Sequence, residues 1–121
     1  MENNINILIG KTFSDIAVRE DKEEIIFTVS DKEKYRMYHV QDCCEHVYCE
    51  DIIGDLKDLI DSPITKAEER TSDENPKDKE WYESFTWTFY ELASIKGSVS
   101  IRWYGTSNGY YSESVDIELM S

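Results

Sequence analysis

Basic residues are scarce in this chain. Thirteen Lys and Arg stand against 26 Asp and Glu, a formal net charge of -13 in 121 residues. That balance opposes binding to the phosphate backbone of long nucleic acid or to an anionic membrane surface. Glycine is also sparse, with five in all, and neither a Gly-x-Gly-x-x-Gly nor a Walker-type phosphate loop can be assembled from them. No apolar run approaches the roughly 18 residues of a membrane span. The N-terminal "MENNINILIGKTF" lacks the basic start of an export signal, so a soluble, unexported protein is expected.

Cysteine and histidine are few and crowded together. The three Cys and two His all fall within "YHVQDCCEHVYCED", Tyr38 to Asp51. An odd number of cysteines, two of them adjacent, suits a reducing compartment better than a disulfide framework. A zinc reading would use His39, Cys43, Cys44, His46 and Cys49, but structural zinc sites draw on two separated ligand pairs, and no second pair exists. No metal and no cofactor are therefore expected. A nucleophilic Cys49 needs a stabilised thiolate, yet Glu45, Glu50 and Asp51 surround it with negative charge. Buried packing is the plainer role for these cysteines.

Bulky side chains are plentiful: eight Tyr, four Phe and three Trp, enough to fold one domain over residues 1–121 without staples. "FSDIAVRE", "EEIIFTVS" and "YRMYHVQ" read as an opening meander of strands. "CEDIIGDLKDLIDSP" spaces Ile52, Ile53, Leu56, Leu59 and Ile60 as an amphipathic helix over about 50–61, with Glu50 and Asp51 in its first turn and Ser62-Pro63 at its end. "PITKAEER" allows another strand, and "RTSDENPKDKE" reads as an exposed loop. The segments "WYESFTWTFYELASI", "GSVSIRWYG" and "YYSESVDIEL" then read as three antiparallel strands. Alternation assigns Phe85, Trp87 and Phe89, then Val99, Ile101 and Trp103, then Tyr111, Val115, Ile117 and Leu119 to the core face. The expected class is α+β, a mostly antiparallel sheet packed against one principal amphipathic helix.

The opposite sheet face is rich in hydroxyls and carries Arg102 and Tyr104. In "SIRWYGTSNGYYSES", Gly105 to Gly109 reads as a polar turn whose N–H groups, with Thr106, Ser107 and Asn108, can hold an anion. Arg102 offers a planar fork for phosphate, and Tyr104, Tyr110 and Tyr111 offer ring faces for a base. The same residues would also make an ordinary hairpin, since aromatics favour strands and Ser-Asn-Gly is common turn chemistry. His39 and Gln41, on one side of the incoming strand, are further candidates for ligand contact.

The stretches "YHVQDCCEHVYCEDIIGDLKDLIDSPI" and "ESFTWTFYELASIKGSVSIRWYGTSNGYYSESV", with their spacing, resemble a family of small phage proteins, the first type of Thoeris anti-defence protein. Members of that family are sponges rather than enzymes: they bind, without cleavage, cyclic ADP-ribose isomers made by bacterial TIR-domain proteins, and have been linked to cyclic oligonucleotides. The resemblance implies a homo-oligomer, dimer or larger, with ligand pockets between subunits, working in the cytoplasm of an infected bacterial host. On residue chemistry, Arg102 would then take the diphosphate, Asn108 and the turn amides the ribose or phosphate oxygens, and Trp87, Phe89, Tyr104, Tyr110 or Tyr111 the adenine. A sponge needs affinity near nanomolar, about -12 kcal/mol, which a small ligand reaches only when well enclosed. An acidic decoy that imitates DNA and occupies a host DNA-binding protein is the alternative raised by the -13 charge. Against it, acidity is also an ordinary route to solubility.

Overall fold

A computed structural model describes residues 5–40, 45–72, 84–107 and 114–120. The backbone forms eight strands: β1 (Asp15–Val18), β2 (Glu24–Ser30), β3 (Glu33–Tyr38), β4 (His46–Ile53), β5 (Lys66–Ser72), β6 (Ser84–Ser94), β7 (Gly97–Ser107) and β8 (Asp116–Leu119). They make two antiparallel four-stranded sheets, in the orders β1-β2-β3-β8 and β4-β7-β6-β5. The opening meander is present as expected. The three C-terminal segments, expected to share a sheet, do not: β6 and β7 form a hairpin, while β8 pairs with β3.

One apolar cluster draws on both sheets. Ile25, Phe27, Tyr35, Met37 and Ile117 come from the first, and Val47, Cys49, Tyr90, Leu92, Val99, Ile101 and Trp103 from the second. Trp103 is fully buried, and its indole Nε1 donates to Met37 Sδ at 3.1 Å, which ties the two layers together. Tyr90 does the same at one end, its hydroxyl donating to the Val115 carbonyl at 3.3 Å. The N-terminal segment closes a flank: Phe13 packs on Phe27 with ring centroids 5.2 Å apart and bridges to Ile60.

The amphipathic helix over 50–61 is not there. Residues 46–53 are a strand hydrogen-bonded along β7, and only Leu56–Leu59 coil, as a short 3-10 turn capped by Asp55. The physical reason lies at Gly54, whose φ of +117° belongs to neither helix nor strand and reverses the chain direction. A Cβ there would sit 2.9 Å from the Ser98 carbonyl oxygen. Pairing with β7 satisfies the backbone groups of 46–53 on that side and accompanies burial of Val47 and Cys49, so tertiary structure overrides the local 3.6-residue spacing. Among the described residues no helix is long and apolar enough to cross a membrane.

A second correction concerns β6. Thr88, Tyr90 and Leu92 are buried, whereas Trp87 and Phe89 are half-buried on the other face. The hairpin turn at Ile95-Lys96 pairs Ser94 with Gly97 and thereby sets Leu92 against Val99, Tyr90 against Ile101 and Thr88 against Trp103. Directly opposed residues share a face, so the inward Val99, Ile101 and Trp103 carry those partners inward with them. Trp87 and Phe89 are turned out beside Tyr104 and Arg102. No buried polar side-chain atom among the described residues lacks a hydrogen-bond partner.

Candidate functional site

The outer face of the β4-β7-β6-β5 sheet is built in rows by the strand register. One row runs Tyr48, Tyr104, Trp87. The next runs Asp51, Arg102, Phe89, Arg70, and a third Ile53, Ser100, Glu91, Glu68. In the first row Tyr48 meets Tyr104 edge-on at 6.3 Å between centroids, and Tyr104 leans on Trp87 at 4.3 Å. His46 extends it, stacked on Tyr48 at 4.8 Å. Trp87 and Phe89, two residues apart on β6, lie nearly parallel, with 14° between their planes.

The second row sets a ring between two cations. Arg102 carries its guanidinium carbon 5.4 Å from the Trp87 ring, and Arg70 holds its own 5.3 Å from the Phe89 ring. The groove between them has a volume of about 180 Å³ and is lined by Ile53, Glu68, Arg70, Phe89, Glu91, Ser100 and Arg102. Ile53 is 54% exposed here, an unusual position for isoleucine.

The charges on this face are nearly balanced in a chain of net charge -13. Arg102 donates to Glu50 Oε1 from Nε at 2.7 Å and Nη2 at 2.6 Å, with Asp51 Oδ2 3.6 Å from Nη2. Lys66 lies 3.4 Å from Glu91 and 3.8 Å from Glu68. Arg70 has no carboxylate within ion-pairing distance among the described residues. The face therefore combines flat rings, one guanidinium neutralised by carboxylates and one with no carboxylate beside it among the described residues, a set that can hold a planar group and an anion side by side.

Several expected site residues are thus brought together: Arg102, Tyr104, Trp87 and Phe89 share this face. Thr106 continues it, half-buried and paired with His46. Residues 105–107, expected to open a polar turn, instead continue β7: Gly105 and Thr106 pair with both β4 and β6, and Ser107 with β6. Ser107 pairs with Ser84 through that backbone. Gln41, Asn108, Tyr110 and Tyr111 lie outside the described residues, as do Cys43 and Cys44.

His39 does not face the groove. Its side chain is 4% exposed, with Nδ1 2.6 Å from the Ser114 carbonyl and Nε2 2.7 Å from Glu45 Oε2. A carbonyl needs a donor, so Nδ1 carries the hydrogen there and Nε2 is the nitrogen that meets the Glu45 carboxyl. His39 is a strut between the entry to β4 and the entry to β8.

Cys49 is buried at 2% exposure, and burial pushes its thiol up to about 11. It is a packed thiol on the inner face of β4, weakly bonded to the Asp51 carbonyl at 3.7 Å. Among the described residues no three His, Cys, Asp or Glu side chains gather as metal ligands do.

Arg70, Tyr48, Glu50, Asp51 and Ile53 were not among the ligand-site candidates that the sequence offered. The alternation Lys66, Glu68, Arg70 within "PITKAEER" places Arg70 on the outer face once β5 is paired, which is the signal that could have found it. Glu50 and Asp51 were hidden by the helix expectation. A β-bulge between Cys49 and Asp51 inserts Glu50 as an extra residue and turns both carboxylates toward Arg102.

Residues 6–117 match the model of a protein family described as a domain of unknown function, DUF7448, and the chain belongs to that family. No curated protein and no solved structure matches the chain.

Proposed function

We propose that this member of the family is a binding protein for a small nucleotide-like signal, captured without cleavage on the outer face of the β4-β7-β6-β5 sheet. The observation that carries the proposal is the row Arg102, Phe89, Arg70 set beside the aromatic row Tyr48, Tyr104, Trp87. Rings at this spacing offer stacking surfaces to a base, worth about 1–3 kcal/mol per base. The two guanidiniums offer planar forks to phosphate oxygens.

The resemblance to the first type of Thoeris anti-defence protein supports naming the ligand class as cyclic ADP-ribose isomers, with cyclic oligonucleotides as relatives, and the setting as the cytoplasm of an infected bacterium. Capture rather than turnover is supported by the groove's carboxylates, each beside a cation instead of poised over open space as a general base.

Size supports a homo-oligomer. Pockets that bury most of a ligand of this kind have about 300–1,000 Å³. The groove has about 180 Å³ and opens to solvent, so a second subunit laid across the face would complete the enclosure that tight capture needs. Exposed Ile53 at its edge is an apolar contact for that subunit.

The test is direct. The purified protein is incubated with cyclic ADP-ribose isomers, its melting temperature is followed, and the material released by heat denaturation is analysed. A large upward shift with intact ligand recovered supports capture. Recovery of degraded ligand would make the protein an enzyme, and the absence of any shift would remove the proposal.

A further inference from the structure

The groove over Phe89 contains two arginines, and the fold treats them differently. Arg102 is clasped by Glu50 at 2.6 and 2.7 Å, with Asp51 at 3.6 Å. Both carboxylates come from the bulge in β4, which puts two residues where a regular strand would put one opposite Arg102. Arg70, two strands further on, has only the Phe89 ring as a partner among the described residues.

Resting on the nucleotide-binding reading, we propose that Glu50, assisted by Asp51, is an internal competitor that limits how much a second phosphate adds to binding in the groove. A first anionic group is taken by Arg70. A second is held only when Arg102 is handed over from Glu50 to the ligand, so the clasp weakens diphosphate binding by the cost of that exchange and leaves monophosphate binding unchanged. Three features make that exchange feasible. The clasp is reachable, since the side chains of Arg102 and Glu50 are 33% and 35% exposed. Released Glu50 would be solvated rather than stranded, so the exchange forfeits only what a surface ion pair contributes. Arg70 and Arg102 stand on strands flanking β6, roughly 10 Å apart in backbone, a span two long side chains close over Phe89.

The clasp also gives the bulge a role. A polyanion meeting this face encounters two carboxylates before it gains a second guanidinium, which disfavours long nucleic acid and admits a compact ligand. Glu50 acts through Arg102 and is a positioning residue.

The experiment compares wild type, Glu50→Gln and Glu118→Gln. The last removes a carboxylate from the Arg36 ion pair on the other sheet and controls for net charge. Affinities for AMP, ADP and inorganic pyrophosphate are measured by calorimetry, and the Nε–H resonances of Arg70 and Arg102 are followed by NMR. Expected are movement of Arg70 alone with AMP, movement of both arginines with ADP, and a roughly threefold to fivefold tightening of ADP relative to AMP in Glu50→Gln only. Binding of ADP by wild type with an unchanged ADP-to-AMP ratio in Glu50→Gln overturns the competitor and leaves the nucleotide site standing. Pyrophosphate moving Arg102 more readily in Glu50→Gln, without nucleotide binding, keeps the competitor and removes the nucleotide reading. If no probe binds and neither resonance moves, both are overturned.

Discussion

Trp87 and Tyr104 stand directly opposite each other across the β6–β7 ladder, their ring centroids 4.3 Å apart on the outer face of the sheet. Both are half-buried, so the pair presents ring surface to solvent while holding itself in place. Trp87→Ala is expected to weaken nucleotide binding by about tenfold to a hundredfold, the loss of one stacked base. Its melting temperature should fall as well, because the half-buried ring area and an aromatic pair worth about 0.5–1.5 kcal/mol beyond that area are both lost. Parallel titration and thermal scans separate the two effects, and equal affinity in the variant would place the ligand elsewhere.

Arg70 is expected to be the main anion anchor. Arg70→Ala should cost about 1.5–3 kcal/mol of binding free energy, the worth of a hydrogen bond to a charged group. Arg70→Lys should recover only part, since a point charge does not reproduce a planar fork. Affinities at two salt concentrations check this: a variant with wild-type affinity and salt slope would contradict the assignment.

The strut at His39 predicts a stability effect with no binding effect. His39→Ala leaves the fully buried Glu45 carboxyl without its imidazole partner, a change expected to cost roughly 3 kcal/mol. Glu45→Gln in the same background should return part of that loss. Urea denaturation of the single and double variants measures the coupling, and additive losses would show that the two side chains act independently.

Gly54 predicts the strand-and-turn geometry over the helix. With φ at +117° and the Ser98 carbonyl 2.9 Å from any added Cβ, Gly54→Ala should destabilise by about 1–3 kcal/mol. In a helix the same substitution would stabilise by up to about 1 kcal/mol. The sign of the change in chemical denaturation decides between them.

Cys49 predicts a pH dependence. Its folded thiol is raised from the ordinary 9.0 to about 11 by burial, so in that window the unfolded chain gives up a proton that the folded chain keeps. The folded state binds more protons there, and stability falls as pH rises from about 9 to 11. This contribution is intact below pH 9. Cys49→Val should flatten that part of the stability profile, measured against wild type by denaturant midpoints at pH 8, 9, 10 and 11.

How far the sequence led can be seen residue by residue. The inward set Val99, Ile101 and Trp103 was legible because strict alternation between apolar and polar residues has one solution there. In β6 both faces carry rings, with Trp87 and Phe89 against Tyr90, so alternation alone had no winner. The two-residue turn at Ile95-Lys96 settles it by fixing the register, and that information was present in the sequence as a hairpin to be paired. For 46–60, apolar spacing favoured a helix because Ile52, Ile53, Leu56, Leu59 and Ile60 fit its period equally well. Strand pairing with β7, a non-local interaction, was worth more than that periodicity.

Composition indicated a core of aromatic and branched residues in a strongly acidic chain, and period-two alternation indicated antiparallel strands. Arg102, Tyr104, Trp87 and Phe89 could be named as ligand-contact candidates from chemistry alone. Only the tertiary structure decided that these four share one face, that Arg70 joins them, and that Glu50 and Asp51 neutralise Arg102. The physical reason is that register and the bulge depend on which strands pair. Such pairing is settled by long-range burial around Trp103 and Met37, not by any local run of residues.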